Sequence, residues 1–183
     1  MASGAGTNAE NIIRYFQGNN QIKIAVVITN KAGAGVIERA ENLGIKTIYI
    51  PQECWKTGEK VMDILREYHI DFVVLSGFLV KIPPVLLQHY PSRIINIHPA
   101  LLPKFGGKGM YGDRVHQAVV AAKETKSGIT IHYIDENYDQ GSTIFQATCE
   151  VLPTDTPEQV AQKVHKLEYR YFPEIIEQTV LKI

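Results

Sequence analysis

One nearly continuous apolar run decides the fold of this chain: Ile22-Lys-Ile-Ala-Val-Val-Ile-Thr29. Six of its eight residues are β-branched. A run of this kind is expected of a strand that is buried on both faces, as in a parallel sheet covered by helices. The following segment, 32–43, has helical character and is closed by Gly44, the residue type favoured just after a helix end. This succession of strand and helix predicts an α/β fold.

The same alternation continues outward from this run. Further strands are predicted at 46–50, 72–75, 94–97, 129–134 and 143–151, and further helices at 8–16, 56–69, after Pro83-Pro84, at 111–123 and at 157–181. Pro173 is expected to kink or break the last helix. The pattern predicts one domain over residues 1–183 with a Rossmann-like, open, mostly parallel sheet and helices on both faces.

The chain begins with a glycine turn, Ser3-Gly-Ala-Gly-Thr-Asn8. Such a turn usually follows the first strand of a doubly wound sheet, yet almost nothing precedes it here. We therefore expect either that the first strand is missing at the N-terminus, which should cost stability, or that the sheet forms without it.

The glycine turn is also a candidate phosphate site. Gly4 and Gly6 have no Cβ, so backbone N–H groups can approach an anion at the N-terminus of the following helix. A turn that binds no ligand is the alternative. A dinucleotide site is disfavoured, because Asn30 and Lys31 stand where an acidic residue would hold the ribose hydroxyls.

A second candidate site lies at the end of the predicted strand 94–97, where the sequence reads Asn96-Ile-His98-Pro99. Residues two apart in a strand point to the same face, and the carboxyl ends of strands are where open α/β sheets bind ligands. Asn96 can donate to a developing oxyanion, and His98 can donate or shuttle a proton. A structural histidine beside a turn proline is the alternative.

An acidic turn, 135–141, could supply an aspartate that faces His98, raises its pKa and fixes its tautomer. Solvated acidic turns are common, so this assignment depends on the histidine. A zinc site formed by His98, His116 and Asp139 has no supporting ligand spacing, and we predict no metal.

The composition restricts the classes of partner. Nineteen basic residues balance nineteen acidic ones, which disfavours nucleic acid as a ligand. The cysteines, Cys54 and Cys149, suit a reducing compartment. No apolar run approaches the ~20 residues that span a bilayer, and the N-terminus does not read as a signal peptide. These features predict a cytoplasmic protein that binds neither nucleic acid nor a membrane.

Taken together, these segments resemble the folate-dependent formyltransferase superfamily. The most specific part is the ten-residue segment from Asn96 to Phe105, followed by the spacing of His132, Asp139 and Gly141. The segment 106–112, Gly-Gly-Lys-Gly-Met-Tyr-Gly, favours the phosphoribosylglycinamide formyltransferase family of purine synthesis. The resemblance runs from Ala2 to the last predicted helix.

The resemblance implies transfer of the formyl group of 10-formyltetrahydrofolate, as co-substrate, to the amine of phosphoribosylglycinamide through a tetrahedral oxyanion. It implies that Asn96 and protonated His98 stabilise the oxyanion while Asp139 orients His98. The implied substrate-binding residues are Gly6, Thr7, Asn8, His165 and Glu168. The implied folate-binding residues are Leu79, Val80, Lys81, Ile82, Asn96, Asp135, Glu136, Asn137, Tyr138 and Asp139.

Two departures from the family pattern concern ligand contacts. Val80 stands where an arginine is common in the folate wall, and a basic contact near 54–60 could be supplied by Lys56, by Lys60 or by neither. The assembly is expected to be a monomer or a homodimer.

Other functions stay open at this point. A methionyl-tRNA formyltransferase, a formyltetrahydrofolate hydrolase or a sugar-nucleotide formyltransferase would share much of the pattern. A non-catalytic module that binds a phosphorylated ligand would explain the glycine turn alone.

Overall fold

The computed structural model describes residues 1–137 and 139–183. Its helices are α1 (Thr7–Tyr15), α2 (Val36–Glu41), α3 (Glu59–Glu67), α4 (Pro84–His89), α5 (Asp113–Ala121) and α6 (Pro157–Val180), with a short 3-10 helix at Gln52–Trp55. Its strands are β1 (Val27–Thr29), β2 (Thr47–Tyr49), β3 (Val73–Leu75), β4 (Ile94–His98), β5 (Lys126–Tyr133) and β6 (Thr143–Glu150).

The strands form a parallel pair, β1–β2, and a four-stranded sheet in the order β3-β4-β5-β6. Within the larger sheet β3 and β4 are parallel, whereas β5 runs antiparallel to both β4 and β6. The α/β class is confirmed. The antiparallel pairings concentrate in the C-terminal part of the described chain, where two long strands are joined by a short connection.

Helices cover both faces of the larger sheet. Ile95 and Ile97 of β4 pack in one core cluster with residues of α1 and α6, such as Ile12 and Val164. Ile94 packs in another cluster with residues of α3 and α4. Since successive residues of a strand point to opposite faces, the two clusters lie on opposite sides of β4.

The N-terminal residues lie between β1 and β3. The amide of Ala2 donates to the carbonyl of Ile28 at 3.1 Å, and the amide of Ser76 donates to the carbonyl of Met1 at 2.9 Å. Met1–Ser3 therefore join the two sheets through backbone hydrogen bonds. They occupy the place in the sheet where the sequence led us to expect a first strand.

Beyond Met1 the same place is a cleft of about 120 Å³, which we call the β1–β3 cleft. Its walls are mostly apolar and include Ile12, Ile24, Val26, Phe72 and Val74. The strand prediction for 22–29 is correct for 27–29 and wrong for 22–26. Residues 23–26 border the cleft instead of a neighbouring strand, so no hydrogen-bonded ladder forms on that side.

The last helix is continuous from Pro157 to Val180, so of the expected kink or break at Pro173 the break does not occur. A proline inside a helix costs about 3 kcal/mol. Phe172, Ile175 and Ile176, on either side of Pro173, are all buried in the core. Burial of three such side chains offsets that cost. Although α6 is 24 residues long, no helix in the described residues is both long and apolar enough to cross a membrane.

Candidate active site

The glycine turn is held in place by Ser3. The Ser3 hydroxyl donates to Oδ1 of Asn30 at 2.6 Å and accepts from the amide of Leu79 at 2.9 Å. Gly6, immediately before α1, has φ 78°, and a Cβ there would lie 2.5 Å from Cα of Val36. Only glycine fits this position. The first amides of α1 have no partner within the helix, which is the arrangement that binds an anion.

Strand β4 carries the Asn-x-His pair on one face. Nε2 of His98 lies 2.7 Å from the carbonyl oxygen of Phe105. Because a carbonyl can only accept, Nε2 carries a proton. Nδ1 is therefore the nitrogen that faces Asp139, whose Oδ2 is 3.6 Å away.

The loop after β4 is anchored on β5. The Thr130 hydroxyl donates to the carbonyl of Ala100 at 2.7 Å and accepts from the amide of Leu102 at 3.0 Å. The register places Thr130 directly opposite His98. These bonds fix the path that brings the Phe105 carbonyl back to His98.

Asp139 lies between two imidazoles. Its Oδ2 accepts from the amide of Gly107 at 2.9 Å, and its Oδ1 lies 3.6 Å from Nε2 of His132. Burial raises the pKa of Asp139, but the contacts with His132, His98 and Gly107 outweigh it and lower the pKa below the usual value. Asp139 is therefore a carboxylate at neutral pH.

The environment of His98 opposes its charge. Burial lowers the pKa of His98, and the Asp139 carboxylate and the Phe105 carbonyl act in the opposite direction without reversing the shift. Asp139 therefore acts on the pKa of His98 in the predicted direction, but burial outweighs it, so a charged His98 requires a bound substrate in addition to Asp139. The free protein favours the neutral ring.

Residues from the two ends of the chain meet next to the glycine turn. Nδ2 of Asn8, on α1, donates to Oε2 of Glu168, on α6, at 2.8 Å. Burial raises the pKa of Glu168, and Asn8 and His165 partly oppose that shift. Glu168 is 6% exposed. The ring of His165 stacks on that of Tyr169, with centroids 6.2 Å apart.

A cavity of about 850 Å³ gathers these groups. Of the residues predicted from the sequence, the lining includes Gly6, Thr7, Asn8, Leu79, Asn96, His98, Asp139, His165 and Glu168. The other predicted folate-wall residues lie outside this lining, namely Val80, Lys81, Ile82, Asp135, Glu136 and Asn137. Ile82 is buried in the core, and Tyr138 lies outside the described residues.

The sequence analysis assigned no substrate contact to six polar residues of the lining: Ser76, Lys108, Tyr111, Asp113, Arg114 and His116. Lys108 belongs to the segment 106–112 that favoured one family over its relatives, and Arg114 and His116 follow it closely. Lys56 and Lys60 are exposed and lie outside the lining. In the described part of the cavity lining, the lysine and arginine side chains that can bind an anion are thus those of Lys108 and Arg114.

No group of three or more His, Cys, Asp or Glu side chains among residues 1–137 and 139–183 is arranged to hold a metal ion.

Comparison with known proteins identifies the family to which this fold belongs. Residues 1–176 match the family model described as Formyl transferase. The chain belongs to this family, as the sequence predicted.

Relatives within the family agree with the narrower resemblance. The chain is 39% identical over 182 residues to "Phosphoribosylglycinamide formyltransferase, chloroplastic" of Arabidopsis thaliana, covering 96% of this chain and 62% of the relative. It is 36% identical to phosphoribosylglycinamide formyltransferase of Bacillus subtilis, covering 97% of this chain and 91% of the relative. The chain spans about three fifths of the length of the plant relatives that it matches.

Solved structures show the same fold. The crystal structure of phosphoribosylglycinamide formyltransferase from Bacillus halodurans superposes with a TM-score of 0.86 at 37% identity, covering 97% of this chain and 91% of that one. The enzyme of the same name from Anaplasma phagocytophilum gives a TM-score of 0.88 at 31% identity, covering 96% of this chain and 82% of that one.

Proposed function

We propose that the protein transfers the formyl group of 10-formyltetrahydrofolate to the amine of phosphoribosylglycinamide in purine synthesis. The observation that carries the proposal is the shared cavity. The same lining holds an anion site at the start of α1 and the Asn96–His98–Asp139 group. The anion site can bind the phosphate of the acceptor, and the Asn96–His98–Asp139 group can act on the carbonyl of the formyl donor. The relatives' names support this acceptor over others.

The acceptor is held at one part of the cavity by its phosphate. The first amides of α1, at Thr7 and Asn8, bind the phosphate oxygens, and Lys108 and Arg114 supply positive charge from the cavity wall. Glu168, fixed by Asn8, accepts from the acceptor's amine. This contact leaves the amine oriented towards β4.

Asn96 and His98 act on the formyl oxygen. As the amine nitrogen bonds to the formyl carbon, the formyl oxygen gains negative charge, and Nδ2 of Asn96 donates to it. When the tetrahedral intermediate collapses, the bond between the formyl carbon and N10 of the folate breaks, and the proton lost by the amine passes, with the help of Asp139, to the departing N10. His98 donates from Nδ1, since Nε2 is engaged by Phe105. Asp139 favours the protonated ring electrostatically and keeps Nδ1 directed at the reaction. Donors aimed at developing charge each contribute about 3 kcal/mol to lowering the barrier.

The donor site rests on fewer observations. Leu79 presents an exposed apolar side chain to the cavity, where a flat aromatic ring system can pack. Asn96 and Asp139 are polar groups of the same lining. We propose that the protein acts in the cytoplasm as a monomer or homodimer and that these two small molecules are its ligands.

The test is turnover with the purified protein. Phosphoribosylglycinamide and 10-formyltetrahydrofolate are mixed with the enzyme, and the change in folate absorbance is followed with and without the acceptor. We expect turnover that depends on the acceptor. A Gln88→Ala variant, changed at an exposed position on α4 outside the cavity lining, serves as the matched control and should keep the wild-type rate.

The other outcomes separate the alternatives. Loss of the formyl group without the acceptor would indicate a hydrolase. Tight acceptor binding with no turnover in any donor concentration would indicate a binding module and would contradict the proposal.

A further inference from the structure

His132 is a buried histidine to which the mechanism above gives no role. Its side chain is 0% exposed. The antiparallel register of β4 and β5 places His132 directly opposite Asn96. Directly opposed residues lie on the same face of a sheet with their Cβ atoms about 5 Å apart. The two side chains are therefore neighbours because of the strand pairing itself.

The contacts of the ring determine which nitrogen of His132 carries the proton. Nδ1 lies 2.9 Å from the carbonyl oxygen of Tyr133. A carbonyl only accepts hydrogen bonds, so Nδ1 must donate. In a neutral imidazole the other nitrogen, Nε2, then has a lone pair and can only accept.

Nε2 of His132 lies 3.2 Å from Nδ2 of Asn96. An accepting Nε2 requires the amide nitrogen of Asn96 on that side, because the amide oxygen would place two acceptors together. The hydrogen-bond network thus decides the orientation of the Asn96 amide. The two orientations of a side-chain amide have nearly the same shape, so the hydrogen-bond partners determine which of them is adopted.

We propose that His132 is a positioning residue that locks the Asn96 amide with Nδ2 as the donor. One hydrogen of Nδ2 is bound by His132, which leaves the second for the formyl oxygen. The reversed amide would replace that donor by an oxygen and would repel the developing oxyanion. The inference rests on the proposed function, because it concerns how Asn96 performs its part in that reaction.

Asp139 makes the tautomer of His132 decisive. Oδ1 of Asp139 lies 3.6 Å from the same Nε2. A proton on Nε2 would draw His132 towards Asp139 and leave Asn96 free to turn its oxygen to the ring. Asp139 accepts instead from the Gly107 amide and is directed at His98, and 3.6 Å is too long for a hydrogen bond to Nε2, so Nε2 is left to accept from Asn96.

The kinetic test compares two replacements of similar size. His132→Gln can keep an acceptor near the place of Nε2, whereas His132→Phe removes it. We expect His132→Phe to lower kcat roughly a hundredfold, the usual effect of losing one oxyanion donor. The KM values for both substrates should change little, and His132→Gln should recover most of kcat. A loss that is equal in the two variants would overturn the inference.

A double variant separates positioning from a general structural role. If His132 acts through Asn96, then Asn96→Ala should cost much less kcat in the His132→Phe protein than in the wild type, since contacting residues are not additive. Equal losses in both backgrounds would show that the two residues act independently, contrary to the inference. Thermal unfolding of each variant measures the purely structural effect.

A second measurement does not depend on turnover or on a variant that folds. Long-range ¹H–¹⁵N spectra of the wild-type protein with ¹⁵N-labelled histidine report the tautomer of His132. We expect a protonated Nδ1 and an unprotonated Nε2. A proton on Nε2 would overturn the inference even in an active enzyme. Absence of turnover with phosphoribosylglycinamide, in contrast, would reject the proposed function and leave this spectrum to decide the tautomer.

Discussion

The N-terminal and C-terminal parts of the sheet differ in continuity. β1 and β2 form three residue pairs and are separated from β3 by Met1–Ser3 and the β1–β3 cleft. β3 to β6 form an uninterrupted ladder in which β5 and β6 are eight residues long. Asn96, His98 and His132 all belong to the continuous part. These three residues are thus positioned by strand register, whereas Asp139 and the glycine turn lie outside the strands and are held by individual hydrogen bonds.

This difference predicts a division of effects. Changes on β4 should lower the rate of the chemical step, because the ladder keeps the rest of the site in place. Changes at the turn should act on binding and stability, because individual hydrogen bonds from Ser3, Val36 and Arg39 hold the turn in place of a strand ladder.

The largest expected effect is on turnover. His98→Ala removes a donor from the oxyanion and should lower kcat by about a hundredfold or more, equivalent to about 3 kcal/mol. The KM for phosphoribosylglycinamide should change only a few-fold, because Thr7 and Asn8 are untouched. Steady-state kinetics with each substrate varied in turn measure both constants.

Gly6→Ala is the matched change in the turn. The positive φ and the 2.5 Å approach to Val36 require the turn to shift, so KM for the acceptor should rise more than kcat falls. If instead His98→Ala acted mainly on KM and Gly6→Ala mainly on kcat, the assignment of chemistry to one part and binding to the other would be wrong.

The same contrast explains what the sequence could predict. Asn96 and His98 are two residues apart in one strand, so their common face follows from local geometry. The pairing of Asn8 with Glu168 joins residues 160 positions apart, and only the resemblance to a family placed them in one site. The neighbour relation of Asn96 and His132 depends on the register between β4 and β5, which no local sequence pattern encodes.

Two local predictions failed for reasons of tertiary structure. Residues 22–26 have the composition of a strand, but the cleft gives them no partner on one side. A proline inside a helix usually breaks it, but the buried neighbours of Pro173, namely Phe172, Ile175 and Ile176, keep α6 continuous. In both cases packing decided the outcome against intrinsic propensity.

The next expected effect is on stability in acid and concerns α5, the helix that lies between β4 and β5 in the chain. Burial lowers the pKa of His116 on α5 from 6.5 to about 4, and His165 contributes in the same direction. The unfolded chain therefore binds a proton more readily than the native protein, and stability falls as the pH drops from about 6.5 to about 4. The loss at the acid end is about 3 kcal/mol.

Chemical denaturation of the wild type and of His116→Leu across this pH range measures the effect. The variant should lose less stability per pH unit, because leucine does not titrate. Gln117→Leu, at an exposed position on the same helix, controls for the introduced leucine and should retain the wild-type slope. Identical slopes in the wild type and His116→Leu would contradict the prediction.

The smallest effect at neutral pH concerns the β1–β3 cleft. Filling this cleft tests whether the gap in the sheet causes the difference between β1–β2 and β3–β6. The α-amino group of Met1 donates to the carbonyl of Val74 at 2.7 Å, and burial lowers its pKa from 8.0 to about 5. The native protein therefore loses stability as the pH falls from 8 towards 5, by about 1 kcal/mol at pH 7. A short Val- and Ile-rich segment joined ahead of Met1 would remove this amine and place apolar side chains in the cleft.

We expect that segment to raise the midpoint of thermal unfolding at pH 7 by at least about 3 °C, and by more at pH 5, with little change in kcat. A Gly/Ser segment of the same length removes the α-amino group without filling the cleft, so its smaller gain separates the two contributions. If both segments left the midpoint unchanged, the cleft would not be a place for a strand. A large rise in kcat would show instead that the chemistry on β4 depends on the continuity of the N-terminal part.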